Sequence, residues 1–200
     1  MPHLVLLGDS IFDNGAYVPG GPPVIRQVQE ELPGGWHATL RALDGAVVGD
    51  VVGQIPRIPR DATHLALSAG GNDALAQIDI LDLPARSVAE VLDLLAAIGH
   101  AFEQRYRAAV ASLLALHLPL VLCTIYDGNL PDPELQRRAS TALTIFNDVI
   151  LRTAAAEGIP VVELRNVCTE SADYANPIEP SVAGGRKIAR ALVAAVLNRI

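Results

Sequence analysis

The 200-residue chain is 50% hydrophobic and only 18% charged, enough to bury one large core, and its length suits a single domain over residues 1–200. That composition excludes disorder, collagen and small disulfide scaffolds. With 15 Lys and Arg against 22 Asp and Glu, the formal charge of −7 repels phosphate backbones and anionic membranes, so no nucleic-acid partner is expected.

No apolar run near Leu4, Leu65 or Val121 approaches the roughly 20 residues that span a bilayer, so no membrane span is expected. Only Met1, Pro2 and His3 precede the first apolar run, which leaves no basic segment for a secretory signal and makes the cytoplasm the expected compartment. Cys123 and Cys168 are read as buried, reduced thiols; without further ligands at metal spacing they make no zinc site, and neither metal nor cofactor is expected.

Short Leu- and Val-rich runs at 3–7, 38–43, 64–68, 120–125 and 160–164 have strand length and little polar alternation, the pattern of parallel strands buried on both faces. Between and after them, residues 22–32, 49–56, 87–116, 133–157 and 182–200 read as helices. Ser87 with Glu90 has the form of a capping box, and Glu157-Gly158-Ile159-Pro160 is a helix stop followed by a strand start. The stripe Val88, Val91, Leu92, Leu95 and Ile98 reads as a core-facing helix side. Strict alternation of the two element types predicts an α/β fold with an open parallel sheet covered by helices on both faces, and chemistry at the carboxyl ends of the strands.

Three strand ends carry candidate chemistry. The first runs into Gly8-Asp9-Ser10, where a serine hydroxyl can project from the top of the sheet and, if a helix follows, backbone N–H groups favour a developing anion. The second ends in Leu43-Asp44-Gly45-Ala46, whose glycine N–H is a possible donor. The third ends in Gly70-Gly71-Asn72-Asp73, where the Asn72 amide can donate to an oxyanion without titrating. Taken singly, each is also ordinary turn chemistry, and Asp13, Asp44 and Asp73 read as turn or cap carboxylates. Together they set one nucleophile beside two donors on neighbouring strands.

In order, spacing and strand context these segments resemble the SGNH or GDSL hydrolase superfamily: Gly8-Asp9-Ser10 matches the first block, Gly45 the second and Gly70-Gly71-Asn72-Asp73 the third. The resemblance implies a flavodoxin-like three-layer α/β/α sandwich with a five-stranded parallel sheet. It further implies hydrolysis of a small-molecule ester or acyl substrate at Ser10, with the Ser10 N–H, the Gly45 N–H and the Asn72 side chain as oxyanion donors.

The last block departs from that family. Where an Asp and, three residues later, a His are expected, this chain has Asn176 and Glu179 in Asn176-Pro177-Ile178-Glu179-Pro180-Ser181. A glutamate near ~4.3 is a weaker base than a histidine near ~6.5 unless burial raises it. Glu179 is therefore read as a carboxylate base for Ser10, as a structural or substrate-binding group, or as the mark of a degenerate site, with Asp173 as a backup carboxylate. His3, His37 and His64 lie at strand beginnings, the wrong end of a parallel sheet, and His100 and His117 belong to the long helix, so none replaces the base. Tyr126-Asp127-Gly128 follows the fourth strand and is placed to line a pocket. A non-catalytic binding module and an acyltransferase using the same serine are the alternative functions.

Overall fold

The computed structural model describes residues 1–198. Five strands, β1 (His3–Gly8), β2 (His37–Leu40), β3 (His64–Ser68), β4 (Leu120–Cys123) and β5 (Val161–Val162), form one wholly parallel sheet in the order β2-β1-β3-β4-β5. Helices α1 (Val24–Glu31), α2 (Val51–Gln54), α3 (Gly71–Leu75), α4 (Val88–Leu114), α5 (Pro133–Glu157), α6 (Leu164–Val167) and α7 (Val182–Leu197) connect and flank it. This is the flavodoxin-like order, in which the connections leaving β1 and β3 diverge and open a crevice at their carboxyl ends.

Alternation of side chains along the central strands builds two cores. Leu4, Leu6 and Val121 face α1 and α7 through Val28, Ile188 and Leu192, whereas Val5, Leu7, Leu65 and Leu67 face α4 and α5 through Phe102, Tyr106 and Ile150. Both faces of the sheet are dry, which is why the strands read as unbroken apolar runs.

Strand ends differ from expectation where side chains or the ladder intervene. β2 stops at Leu40, not 43, because the Arg41 and Ala42 N–H groups both donate to the Leu6 carbonyl, at 2.8 and 2.9 Å, and the register is lost. β4 stops at Cys123, not 125, because the Asn147 side chain of α5 takes both polar groups of the Ile125 backbone at 2.8 Å. β5 is confined to two residues because Glu163 accepts from the Arg165 N–H and starts α6. The helix expected over 49–56 is broken into α2 and flanking 3-10 turns, and the last two residues expected in α7, 199 and 200, lie outside the described residues.

Two expectations for α4 are corrected. Ser87 accepts from the Glu90 N–H at 3.1 Å, but the Glu90 carboxylate turns to the Arg86 backbone and guanidinium, so only half of the capping box forms. The stripe expected in the core is largely outside it: Val88 is 76% and Leu92 60% exposed, and the buried side of α4 begins at Gly99 and Phe102. Periodicity identified an amphipathic helix but not which of its turns are buried.

Candidate active site

The site is built where β1 and β3 end side by side. Gly8 lies opposite Ser68 at a φ of +117°, and a β-carbon there would stand 1.7 Å from the Ser68 carbonyl oxygen, so only glycine fits. Gln54 of α2 clamps the same residue from the side: its Oε1 accepts from the Gly8 N–H and its Nε2 donates to the Gly8 carbonyl, both at 2.8 Å and buried. The chain then turns tightly, with the Phe12 and Asp13 N–H groups on the Asp9 carbonyl, and presents Ser10, 7% exposed, at the apex. No long helix follows; one turn leads to a short 3-10 helix over Gly15–Tyr17.

The second block is tied to the first. The Leu43 N–H donates to the Gly8 carbonyl at 3.0 Å and the Asp44 N–H to Asp13 Oδ2 at 3.1 Å, so the turn carrying Gly45 lies against the serine turn. The third block is tied to the second: Asn72 Nδ2 donates to the Ala46 carbonyl at 2.9 Å, and Asp73 accepts from the Val48 N–H at 2.8 Å. Among the described residues the N–H groups of Ser10 and Gly45 have no acceptor, and Asn72 keeps a second amide proton. These are three uncommitted donors on turns that are hydrogen-bonded to one another, and donors that converge from such turns can hold a developing oxyanion.

The loop between α6 and α7 carries the last block. Asn176 Oδ1 accepts from the N–H groups of Ile178 and Glu179, both at 2.9 Å, so it shapes the backbone rather than orienting the Glu179 carboxylate. Asn14, just after the serine turn, donates to the Pro180 carbonyl at 3.1 Å, and Tyr126 donates to the Ile178 carbonyl at 2.7 Å. These bonds carry Glu179 in against Ser10. Glu179 is 5% exposed and its Oε2 has no hydrogen-bond partner among the described residues. Burial raises its carboxyl to about 7; the Ser10 hydroxyl pulls the other way, and the charge of Asp44 adds to the rise. An ionised carboxylate of that basicity can accept a serine proton at neutral pH.

Sequence reasoning missed Asp9, Gln54 and Asn14. Asp9 is buried, accepts from the Ile11 N–H at 3.2 Å and is likewise raised to about 7, chiefly by burial. Gln54 left no sequence signal, being one amide in a helical stretch, while Asn14 could have been noticed as an Asn four residues after the serine. Asp173, the backup carboxylate, is occupied elsewhere: it accepts from Lys187 at 2.9 Å and from the Glu170 N–H at 3.0 Å.

The histidines lie away from the serine. His3, His37 and His64 stand at strand beginnings, and His100 pairs with Gln104 on the exposed side of α4. Among the described residues, His3, His37 and Asp61 are the one group with three potential metal donors within 4.8 Å of each other. The two imidazoles are stacked at 3.8 Å, and His3 Nδ1 and His37 Nε2 both face the Asp61 carboxylate, at 3.1 and 3.6 Å, at the end of the sheet opposite the serine.

An apolar cavity of about 130 Å³ lies between α4, α5 and the turn at 78–82. Gly71 and Ile178, the chain neighbours of Asn72 and Glu179, are among its lining residues, as are Tyr126, Asp127 and Gly128. No helix among the described residues is long and apolar enough to cross a membrane.

A sequence profile of the GDSL-like lipase/acylhydrolase family matches residues 6–187. The fold is similar to a lipolytic protein of the G-D-S-L family from Veillonella parvula, with 17% identity, full coverage of both chains and a TM-score of 0.73. It is also similar to phospholipase A1 from Streptomyces albidoflavus, at 17% identity, 100% and 99% coverage and a TM-score of 0.70. A catalytic mutant of an acetylxylan esterase from Geobacillus stearothermophilus gives 18%, 98% and 94% coverage and 0.69. No curated protein matches the chain significantly. With nearly the whole chain matched by the profile and the three sequence blocks meeting at one sheet edge, this protein belongs to the GDSL-like lipase/acylhydrolase family.

Proposed function

We propose that the chain is a serine ester hydrolase in which Ser10 is the nucleophile and Glu179, in place of histidine, is the general base. The observation that carries this reading is the Glu179 carboxylate buried against Ser10, raised to about 7 and with one oxygen unpartnered. Ser10 Oγ attacks the ester carbonyl carbon while its proton passes to Glu179. The oxyanion accepts from the Ser10 and Gly45 N–H groups and from Asn72 Nδ2, and the Ala46 carbonyl keeps that amide aimed. Collapse breaks the bond to the alcohol oxygen, which takes the proton back from Glu179. Water then enters, Glu179 removes its proton, and hydrolysis of the acyl-enzyme returns the proton to Ser10.

The paired replacements at 176 and 179 make physical sense under this reading. An imidazole base must be held in one tautomer, usually by a carboxylate, whereas a carboxylate base accepts a proton without a tautomer to fix. An aspartate at 176 would add like charge beside Glu179; Asn176 supplies the same backbone contacts without it. The charge of Asp44 acts on the Glu179 carboxyl, which favours a neutral ester over an anionic one at the serine. The unpaired, buried Cys123 and Cys168 accord with the reducing cytoplasm.

Turnover of p-nitrophenyl acetate tests the proposal. The wild-type protein should hydrolyse it, Ser10→Ala should lose at least about 10³-fold, and a folded but inert wild-type protein would favour a binding module instead.

A further inference from the structure

The end of the sheet opposite the serine carries a cluster that ester hydrolysis does not use. β1 and β2 start side by side with His3 opposite His37, so the two imidazoles share one face of the sheet, and the turn before β3 brings Asp61 to them. That turn is held from both ends. The Ala62 N–H closes it on the Pro59 carbonyl at 3.0 Å, and Thr63 accepts the His3 N–H on its hydroxyl at 2.7 Å while donating its own N–H to the His3 carbonyl at 2.9 Å. The His37 N–H reaches the Pro2 carbonyl at 3.2 Å. Three separate entries of the chain into the sheet therefore present one carboxylate and two imidazoles on a common frame.

The donor atoms are spaced for a small cation. His3 Nδ1 stands 3.1 Å from one Asp61 oxygen and His37 Nε2 3.6 Å from the other, and the three donors lie within 4.8 Å of one another. Ligands held at about 2.0–2.1 Å around a tetrahedral ion are about 3.3 Å apart, between the two measured distances. His3 is 2% exposed, and its Nδ1 has no hydrogen-bond partner among the described residues although the carboxylate is beside it. Its other nitrogen, Nε2, is bonded to Thr39 Oγ1 at 2.7 Å. With Thr39 accepting, the proton sits on Nε2 and the Nδ1 lone pair faces Asp61, the way an outer partner orients a metal-ligating imidazole. The rings are inclined by 29°, so closing on one ion turns the His37 ring out of the stack, a movement its partly exposed side chain allows while Thr39 holds His3.

We infer that His3 Nδ1, His37 Nε2 and the Asp61 carboxylate bind a divalent transition-metal ion of the zinc type, with water completing its shell, and that the ion pins the entries of β1, β2 and β3 together. Two imidazole nitrogens beside one carboxylate suit zinc and its neighbours rather than magnesium or calcium, which take oxygen ligands. The formal charge of −7 adds a general attraction for cations. An ion bound by the folded chain and not by the unfolded one stabilises the fold by mass action.

Calorimetric titration of the chelator-stripped full chain with zinc chloride, at about pH 7.5 where imidazoles are neutral, tests the site. Wild type should bind zinc there and should not bind magnesium. His37→Ala and Asp61→Asn, at positions open to solvent, should stay folded and weaken zinc binding at least about tenfold; Thr39→Val, which touches no ion, should weaken it about 10- to 100-fold by freeing the His3 ring. His100→Ala, on the exposed side of α4, should bind as wild type does. With free zinc at about a hundredfold excess over Kd, the wild-type melting temperature should rise by about 5–10 °C, and by about half of that or less in Asp61→Asn. None of these readouts depends on turnover at Ser10. A wild-type protein that binds no zinc would overturn the site and leave the cluster an ion pair of imidazole and carboxylate. Equal zinc affinity in wild type, His37→Ala and Asp61→Asn would overturn it as well, by placing the ion elsewhere.

Discussion

Replacing Glu179 with Gln removes a buried ionisable group while keeping its shape, and should remove part of the fall in stability between pH 5 and pH 8 as it removes activity. Folding raises this carboxyl from 4.5 to about 7, so in that window the native state holds a proton the unfolded chain releases. Stability therefore falls as pH rises through the window and levels off above it. At about 1.36 kcal/mol per pH unit, the loss between pH 5 and pH 8 comes to about 2.5 kcal/mol. A glutamine carries no such dependence. Its amide adds a constant penalty for whichever proton finds no acceptor, about 1–3 kcal/mol, which cancels when the same pair of proteins is compared at two pH values. Asp9 titrates in the same range but is present in both and largely cancels as well. Urea unfolding of wild type and Glu179→Gln at pH 5 and pH 8 gives the comparison directly: the variant should gain about 2–2.5 kcal/mol on wild type across that interval. Equal differences at the two pH values would refute the buried, elevated carboxyl and with it the basicity assigned to Glu179.

Other outcomes follow from single contacts. Gly8→Ala, with its β-carbon 1.7 Å from the Ser68 carbonyl oxygen, should fail to accumulate as folded protein by circular dichroism, whereas Ser10→Ala should melt near wild type. Gln54→Met leaves the Gly8 N–H and carbonyl without their 2.8 Å partners and should lose about 2–4 kcal/mol in urea titration, with kcat reduced through a loosened serine turn. Asn72→Ala should lower kcat by about 10²- to 10³-fold with a small change in KM, and an unchanged kcat would return Asn72 to a turn residue. In kcat/KM, wild-type activity should rise with pH to half its maximum near 7, the pH at which Glu179 becomes a carboxylate, and that limb should vanish in Glu179→Gln.

Much of the fold was legible because both faces of the sheet are dry: β1 and β3 read as uninterrupted apolar runs and lie within one residue of where the pattern puts them. The ends of β2 and β4 were not, since a ladder shift at Arg41 and Ala42 and an amide from Asn147 are tertiary events. The candidate site was visible in the three blocks because each follows a strand end, and the departure at Asn176 and Glu179 was visible as a change of residue type. What that change does physically depends on burial, which no local pattern encodes. For the same reason the first turns of α4 were misread: an apolar stripe demands a neighbour, but the one it meets is a cleft and not the core. Gln54 left no trace, because one amide in a helical segment looks like any surface glutamine.

The pairing of Ser10 with Glu179 is tested most directly by single-turnover acylation at pH 8 with p-nitrophenyl acetate, reading p-nitrophenol release while mass spectrometry locates the acetyl group. Wild type should release one equivalent in a burst and carry the acetyl on Ser10. Glu179→Gln, folded and more stable at that pH than expected for a core lesion, should acylate at least about 10²-fold more slowly. Equal acylation rates for the two proteins, or an acetyl group on any residue but Ser10, would contradict it.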